Sequence, residues 1–63
     1  MFLRFSTKAD RNGNVYRIEM DTDAKRLYFD SFVGAGDVIV TRKDLRKIIE
    51  TARKDGYTDT VRL

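Results

Sequence analysis

The stretch that decides the fold is Thr41–Gly56, TRKDLRKIIETARKDG. Thr41 has the side chain of a helix N-cap, and Asp44, three residues later, favours the positive end of the helix dipole. Gly56 stands where helices commonly end in a left-handed residue. Between these signals the apolar residues recur with helical spacing, at Leu45, Ile48, Ile49 and Ala52. The stretch therefore predicts one amphipathic helix whose apolar stripe packs on another element.

An Asn-Gly pair upstream of the helix predicts a β-hairpin. Asn12 and Gly13 suit the two central positions of a type I′ turn, where both residues need a positive φ. With these two residues as the loop, Phe5 faces Met20. The apolar residues of both strands then share one face, namely Leu3, Phe5, Tyr16, Ile18 and Met20.

A second turn extends the hairpin into a meander. A four-residue loop at Asp21–Ala24 places Ile18 opposite Leu27, which keeps the apolar residues of the third strand on the same face. A three-stranded antiparallel meander over residues 2–32 is therefore expected.

The remaining segments complete an α+β fold. Val38–Val40 is either a short strand or an extended approach to the helix, and Gly34–Gly36 is interpreted as a bend. Thr58–Leu63 alternates like a final edge strand, with a frayed terminus as the alternative. We expect a three- to four-stranded antiparallel sheet with one C-terminal amphipathic helix packed on one face, in the order ββββαβ or βββαβ. Residues 1–63 are expected to form a single small domain.

The composition excludes most catalytic and metal chemistry. The chain has 63 residues with no Cys and no His, which removes thiolate nucleophiles, zinc sites of the Cys/His type and imidazole catalysis. Asp21 and Asp23 suggest a calcium loop, but Lys25 stands at the third ligand position and the required glycine is missing. We therefore expect no enzyme, no catalytic residue, no bound metal and no cofactor.

Length and charge limit the classes of partner. A chain this short buries only about 60% of its unfolded surface, so formation of a homodimer would be one way to add buried area. The first segment is apolar only briefly and contains Arg4, so it predicts neither a signal peptide nor a membrane span. A cytoplasmic protein without a membrane partner is the expectation. The net charge of +3 is compatible with nucleic acid but does not require it.

The polar side of the predicted helix is strongly basic. Glu50 lies in the middle of this side and can pair with cations three or four residues away, but one carboxylate cannot neutralise six of them. The surplus either binds phosphates or is a solvated helix surface that needs no ligand. The candidate anion- or nucleic-acid-binding residues are Arg42, Lys43, Arg46, Lys47, Arg53 and Lys54.

The sheet face away from the helix is the second candidate site. In the predicted register Lys8 lies opposite Arg17, a like-charge pair that a bound anion would relieve. The alternatives are an ordinary solvated face and a protein-docking face, which exposed Phe2 and Phe32 would assist. The candidate residues on this face are Arg4, Lys8, Arg17, Arg26 and Tyr28.

Two functional hypotheses follow from these surfaces. The favoured one is a small non-enzymatic protein-interaction module, of regulatory, adaptor or inhibitor type, which acts through an exposed sheet face or by strand addition at an open sheet edge. The alternative is a nucleic-acid-associated module that binds phosphates through the basic helix face or the Arg/Tyr sheet face.

Overall fold

The computed structural model describes residues 1–30 and 36–60. The elements, in chain order, are β1 (Phe2–Ser6), β2 (Arg17–Asp21), β3 (Arg26–Asp30), β4 (Val38–Ile39), α1 (Arg42–Lys54) and β5 (Thr58–Thr60). The predicted bend at Gly34–Ala35, the predicted exposure of Phe32 and the last three residues of the predicted final strand lie outside the described residues.

The five strands form one mixed sheet in the order β4-β1-β2-β3-β5. The predicted α+β class, the antiparallel β1–β3 meander, the helix and the final strand are confirmed. Both outer strands run parallel to their neighbours, β4 beside β1 and β5 beside β3. Parallel pairing follows from the connection, because α1 leaves one edge of the sheet and returns the chain to the other edge in the same direction.

The predicted pairing register of the meander is wrong by two residues. Phe5 lies opposite Ile18 rather than Met20, and Ile18 lies opposite Phe29 rather than Leu27. A slip of two residues keeps every side chain on its predicted face, so the core face was assigned correctly although the pairs were not.

Aspartate side chains in the turns explain this difference. Asp10 accepts hydrogen bonds from the backbone N–H groups of Asn12 (2.8 Å) and Asn14 (2.9 Å), and the N–H of Gly13 bonds to the Asp10 carbonyl. Gly13 has a positive φ of 81° and Asn12 does not, so the turn is not type I′. In the second turn, Asp21 Oδ1 accepts hydrogen bonds from the N–H groups of Asp23 and Ala24, and the four-residue loop lies one residue further along the chain, at Thr22–Lys25.

The helix begins and ends as predicted. Thr41 accepts a hydrogen bond from the backbone N–H of Asp44 (3.1 Å). At the other end Gly56 has a φ of 92°, and the N–H of Tyr57 bonds to the carbonyl of Ala52 (3.0 Å). This is a Schellman ending, in which a left-handed residue lets the chain turn back and satisfy the last carbonyls.

The core lies between α1 and one face of the sheet. Its buried members are Ile18, Met20, Leu27, Leu45 and Ala52, and Phe5, Val40, Ile48, Ile49 and Tyr57 pack around them. Thirteen residues make α1 about 20 Å long, which matches the width of about 19 Å of a five-stranded sheet. Because α1 begins beside β4 and ends beside β5, it spans the whole sheet with a single element.

Candidate functional site

A chain of charged contacts crosses the sheet face opposite α1. The Arg17 Nε donates to Asp37 Oδ2 at 2.6 Å, and the Ser6 hydroxyl donates to the same oxygen at 2.5 Å. Glu19 Oε2 accepts a hydrogen bond from Arg4 Nε at 2.9 Å and lies 3.7 Å from Arg17 Nη2. We refer to Arg4, Ser6, Arg17, Glu19 and Asp37 as the ion network.

The centre of the ion network is buried. The side chains of Arg17 and Glu19 are each 6% exposed, and that of Asp37 is 1% exposed. No side-chain nitrogen or oxygen that is buried among the described residues lacks a hydrogen-bond partner. Such an arrangement tolerates the loss of a member badly, because the remaining charge would stay buried without its counter-charge.

The network anchors β4 to the rest of the sheet. Asp37 directly precedes β4, and its carboxylate reaches side chains on both β1 and β2. At the other end of β4, the N–H of Val40 donates to the carbonyl of Ser6 at 2.9 Å. A strand of two residues forms few ladder hydrogen bonds, so these contacts on either side of it determine its position.

The outer edge of β4 is apolar and open. Val38 is 55% exposed and Ile39 is 52% exposed. Because the N–H of Val40 points towards β1, alternation along the strand directs the N–H and the carbonyl of Ile39 away from the sheet. Within the described part of the chain, no strand pairs with this side of β4. Natural sheet edges are usually protected by a lysine, a proline, a bulge or a very short strand; Val38–Val40 contains no lysine and no proline, so the short length of β4 is what limits pairing here.

The predicted sheet-face residues do not form one continuous surface. Arg17 is buried in the ion network, and the predicted like-charge pair with Lys8 is not formed, because Ser6 stands opposite Arg17. Arg4 lies at the network's exposed rim, paired with Glu19. The others are dispersed: Lys8 is exposed beyond the end of β1, Arg26 is exposed on β3, and Tyr28 is half-buried opposite Glu19.

The predicted helix cations divide into two groups. Arg42, Arg46 and Arg53 line the flank of α1 that faces β2 and β3. The exposed lysines are on other sides of the helix, with Lys54 on the flank that faces β1. Arg53 donates to Asp59 through Nε (3.2 Å) and Nη2 (2.8 Å), and this carboxylate raises the pKa of the Arg53 guanidinium.

Glu50 forms none of the ion pairs predicted for it. In the described ranges, no Lys or Arg nitrogen pairs with its carboxylate, and Lys43, Arg46 and Lys47 are likewise without an ion pair. The positive charge of the helix surface is therefore less compensated than the spacing suggested.

Asp37 is the residue of this site that sequence reasoning missed. Its position before three consecutive β-branched residues was the available signal, since an acid two residues from Ile39 must share that residue's side of a strand. Its partners Ser6 and Arg17 are 31 and 20 residues away. They could not be identified before the parallel pairing of β4 with β1 was known.

The helix of the described chain is too short and too polar to cross a membrane.

Comparison with known proteins gives no match: no protein-family model fits the chain, and neither a curated protein nor a solved structure is significantly similar to it.

Proposed function

We propose that the protein is a small non-enzymatic protein-interaction module that binds an extended segment of a partner protein by strand addition at the β4 edge. The observation that carries this proposal is the exposed apolar outer edge at Val38 and Ile39, with which no strand of the described residues pairs. An incoming strand forms main-chain hydrogen bonds with the outward N–H and carbonyl of Ile39, and its alternate side chains supply specificity.

The side chains of β4 indicate what the partner segment contributes. Val38 aligns with Phe5 on the side of α1, and Ile39 aligns with Ser6 on the side of the ion network. A partner strand beside β4 thus meets an exposed apolar side chain on each face of the sheet, and favours apolar or β-branched residues at both positions.

The ion network supports this function by holding the edge in its binding geometry. Ordering a flexible segment during binding costs free energy, and an edge that is already ordered avoids that cost. The contacts from Asp37 to β1 and β2 exist within the chain itself, so the edge does not depend on the partner for its position.

The proposal is tested by selecting 12-residue peptides from a random display library for binding to the full chain. The affinity of the selected peptides is then measured for two variants of Ile39. Ile39→Pro removes the outward N–H but no hydrogen bond to β1, because proline is tolerated at an edge where its nitrogen faces solvent. Ile39→Ala keeps the N–H and shortens the side chain. Strand addition predicts that Ile39→Pro weakens peptide binding at least about tenfold and more than Ile39→Ala does.

Other results of the same selection would refute the proposal. Equal losses in Ile39→Pro and Ile39→Ala would indicate docking on the side chain without strand pairing. Unchanged binding in both variants would place the binding surface elsewhere. If analytical ultracentrifugation shows a dimer that Ile39→Pro dissociates, a second copy of the chain is the strand that adds to β4.

A nucleic-acid-associated function is the second candidate, favoured by the uncompensated cations on α1. Lys43, Arg46 and Lys47 lack ion pairs within the described ranges. Binding of a 20-nucleotide oligonucleotide at low and at higher salt tests it, because the log–log slope reports the number of phosphates neutralised. Arg46→Glu with Lys47→Glu should abolish binding by the helix face, whereas substitution of the exposed Arg26 (Arg26→Glu) and Tyr28→Ala should matter only for a sheet-face site.

A further inference from the structure

A groove remains between α1 and the sheet where β2 begins and β3 ends. Because α1 crosses from the β4 edge to the β5 edge, it leaves this corner of the apolar sheet face uncovered. Two aromatic side chains there are exposed although they lie on the α1 side: Tyr16 at 37% and Phe29 at 45%. We call this space the Phe29 groove; it has a volume of about 540 Å³.

The floor of the Phe29 groove is aliphatic. Ile18 and Leu45 are almost fully buried beneath it, and Ile49 is half-buried at its side. An open apolar floor with two aromatic walls suits one large apolar side chain of a ligand, which would lose water contact against Phe29 and Tyr16.

The rim of the groove on α1 carries three arginines and one acid. The Arg42 guanidinium lies 4.4 Å from the centre of the Tyr16 ring, and that of Arg53 lies 5.9 Å from the centre of the Phe29 ring. Arg46 lies between them along the helix without an ion pair in the described part of the chain. Asp59 already pairs with Arg53, so three positive charges against the two negative charges of Glu50 and Asp59 leave a net charge of +1 at the rim.

Arg42 and Arg46 are the two arginines of the rim that can bind carboxylates of a ligand. A guanidinium stacked on an aromatic ring still directs its N–H groups outward in the plane of the guanidinium, where a planar carboxylate accepts two of them. Arg42 is held in this way by Tyr16, whereas the Nε and Nη2 donors of Arg53 are already occupied by Asp59. Positioned donors lose less side-chain entropy on binding than mobile ones.

We infer that the Phe29 groove binds an acidic segment of a partner protein, with one large apolar side chain on the floor and flanking carboxylates on Arg42 and Arg46. The aliphatic floor and the aromatic walls favour a peptide with a large apolar side chain over a phosphate backbone. The centre of this site, at Ile18 and Phe29, is at least two strands away from the β4 edge, although its end at Tyr16 and Arg42 adjoins Ile39. The inference therefore goes beyond strand addition and stands without it.

The experiment uses the same library of 12-residue peptides, selected on the full chain and sorted by binding to the Ile39→Pro variant. Peptides that still bind this variant do not use the β4 edge, so failure of either site is distinguishable from failure of the other. Among these peptides we expect Asp or Glu enriched within three positions of Phe, Leu or Trp.

Two pairs of variants then test the groove. Arg46→Glu should weaken the acidic peptides at least about tenfold, whereas Lys47→Glu, the same charge reversal one residue away and outside the groove, should change binding less than about threefold. Phe29→Ser should weaken binding strongly, while Leu3→Ser, a similarly exposed apolar side chain on the far side of α1, should not. Circular dichroism confirms that each variant is folded.

The following outcomes would overturn the inference. They are a selection without acidic enrichment, a selection that yields no peptide above background on Ile39→Pro, and equal peptide affinity for Arg46→Glu and Lys47→Glu. Binding of a 12-nucleotide oligo-dT that Arg46→Glu abolishes and the peptides displace would assign the groove to nucleic acid instead.

Discussion

The two outer strands of the sheet occupy equivalent places but present opposite surfaces. Both β4 and β5 run parallel to their neighbours, and α1 connects them. The β4 edge exposes Val38 and Ile39, and a buried carboxylate anchors it. The β5 edge is the polar run Thr58–Thr60, whose Asp59 forms an exposed pair with Arg53.

The two edges use charge for opposite purposes. A charged group on a sheet edge discourages pairing with other chains, and Asp59 supplies one at β5. At β4 the corresponding carboxylate, Asp37, bonds instead to Ser6 and Arg17 on the sheet face opposite α1. The edge itself therefore remains apolar. Charge therefore protects one edge and positions the other, which is why we propose β4 rather than β5 as the binding edge.

Removing Asp37 should have the largest effect. Asp37→Ala leaves the buried Arg17 and Ser6 without their shared acceptor, so we expect a loss of about 3–5 kcal/mol in the free energy of unfolding. For a domain of this size that is a large share of the total. Urea denaturation followed by circular dichroism measures it, and Asp37→Asn, which keeps an acceptor oxygen, should lose less. A loss below 1 kcal/mol in Asp37→Ala would show that the network does not anchor β4.

Substitutions at the two ends of α1, where it connects to β4 and β5, should have the next largest effect on the free energy of unfolding. Gly56→Ala at the β5 joint should cost about 1–2 kcal/mol, because alanine disfavours the left-handed φ of 92° and no atom lies near enough to the new Cβ to add a steric term. Thr41→Ala at the β4 joint should cost about 1 kcal/mol through loss of the N-cap. Both are measured by urea denaturation.

A second substitution of Gly56 tests whether backbone conformation causes the loss of stability at the C-terminal end of α1. Gly56→Asn should cost less than Gly56→Ala, since asparagine adopts the left-handed region more readily. Equal losses for the two would mean that backbone conformation is not what Gly56 supplies.

Breaking the exposed pair at β5 should have little effect on stability. In Asp59→Ala the freed Arg53 is solvated, so the thermal midpoint should stay close to that of the wild-type chain at physiological salt. The decisive comparison is with Asp37→Ala in the same experiment. If the two substitutions destabilise the chain equally, burial is not what distinguishes the two edges.

What could be predicted from the sequence is local. The limits of α1 follow from Thr41, the apolar stripe and Gly56, all within sixteen positions, and they are confirmed. The core face of the meander follows from alternation with period two, which survives the register error. The register itself depends on Asp10 and Asp21, whose side chains compete for backbone N–H groups that a turn type alone does not reveal.

The candidate site depends on contacts that a single sequence does not indicate. The Ser6–Asp37 hydrogen bond joins two segments 31 residues apart across a parallel pairing. Arg17 was assigned to an exposed cationic surface because alternation gives the face of a residue but not what covers it. The segregation of arginines to one flank of α1 was readable from helical spacing, but their proximity to Tyr16 and Phe29 required the crossing of α1 over the sheet.

Asp10 separates the effect of hydrogen bonding from the effect of burial. Its carboxylate is exposed like that of Asp59 but accepts backbone hydrogen bonds, and the N–H of Asn14 chiefly holds its pKa below the usual value of 3.8. Since the folded pKa is lowered, the ionised carboxylate stabilises the hairpin at neutral pH, and this contribution disappears as the pH falls below the unfolded value and through the folded one. The stability difference between the wild-type chain and Asp10→Asn should therefore be largest at neutral pH and shrink in acid. Urea denaturation at a series of pH values measures it, and a difference that stays constant with pH would show that the ionised form has no advantage in the turn.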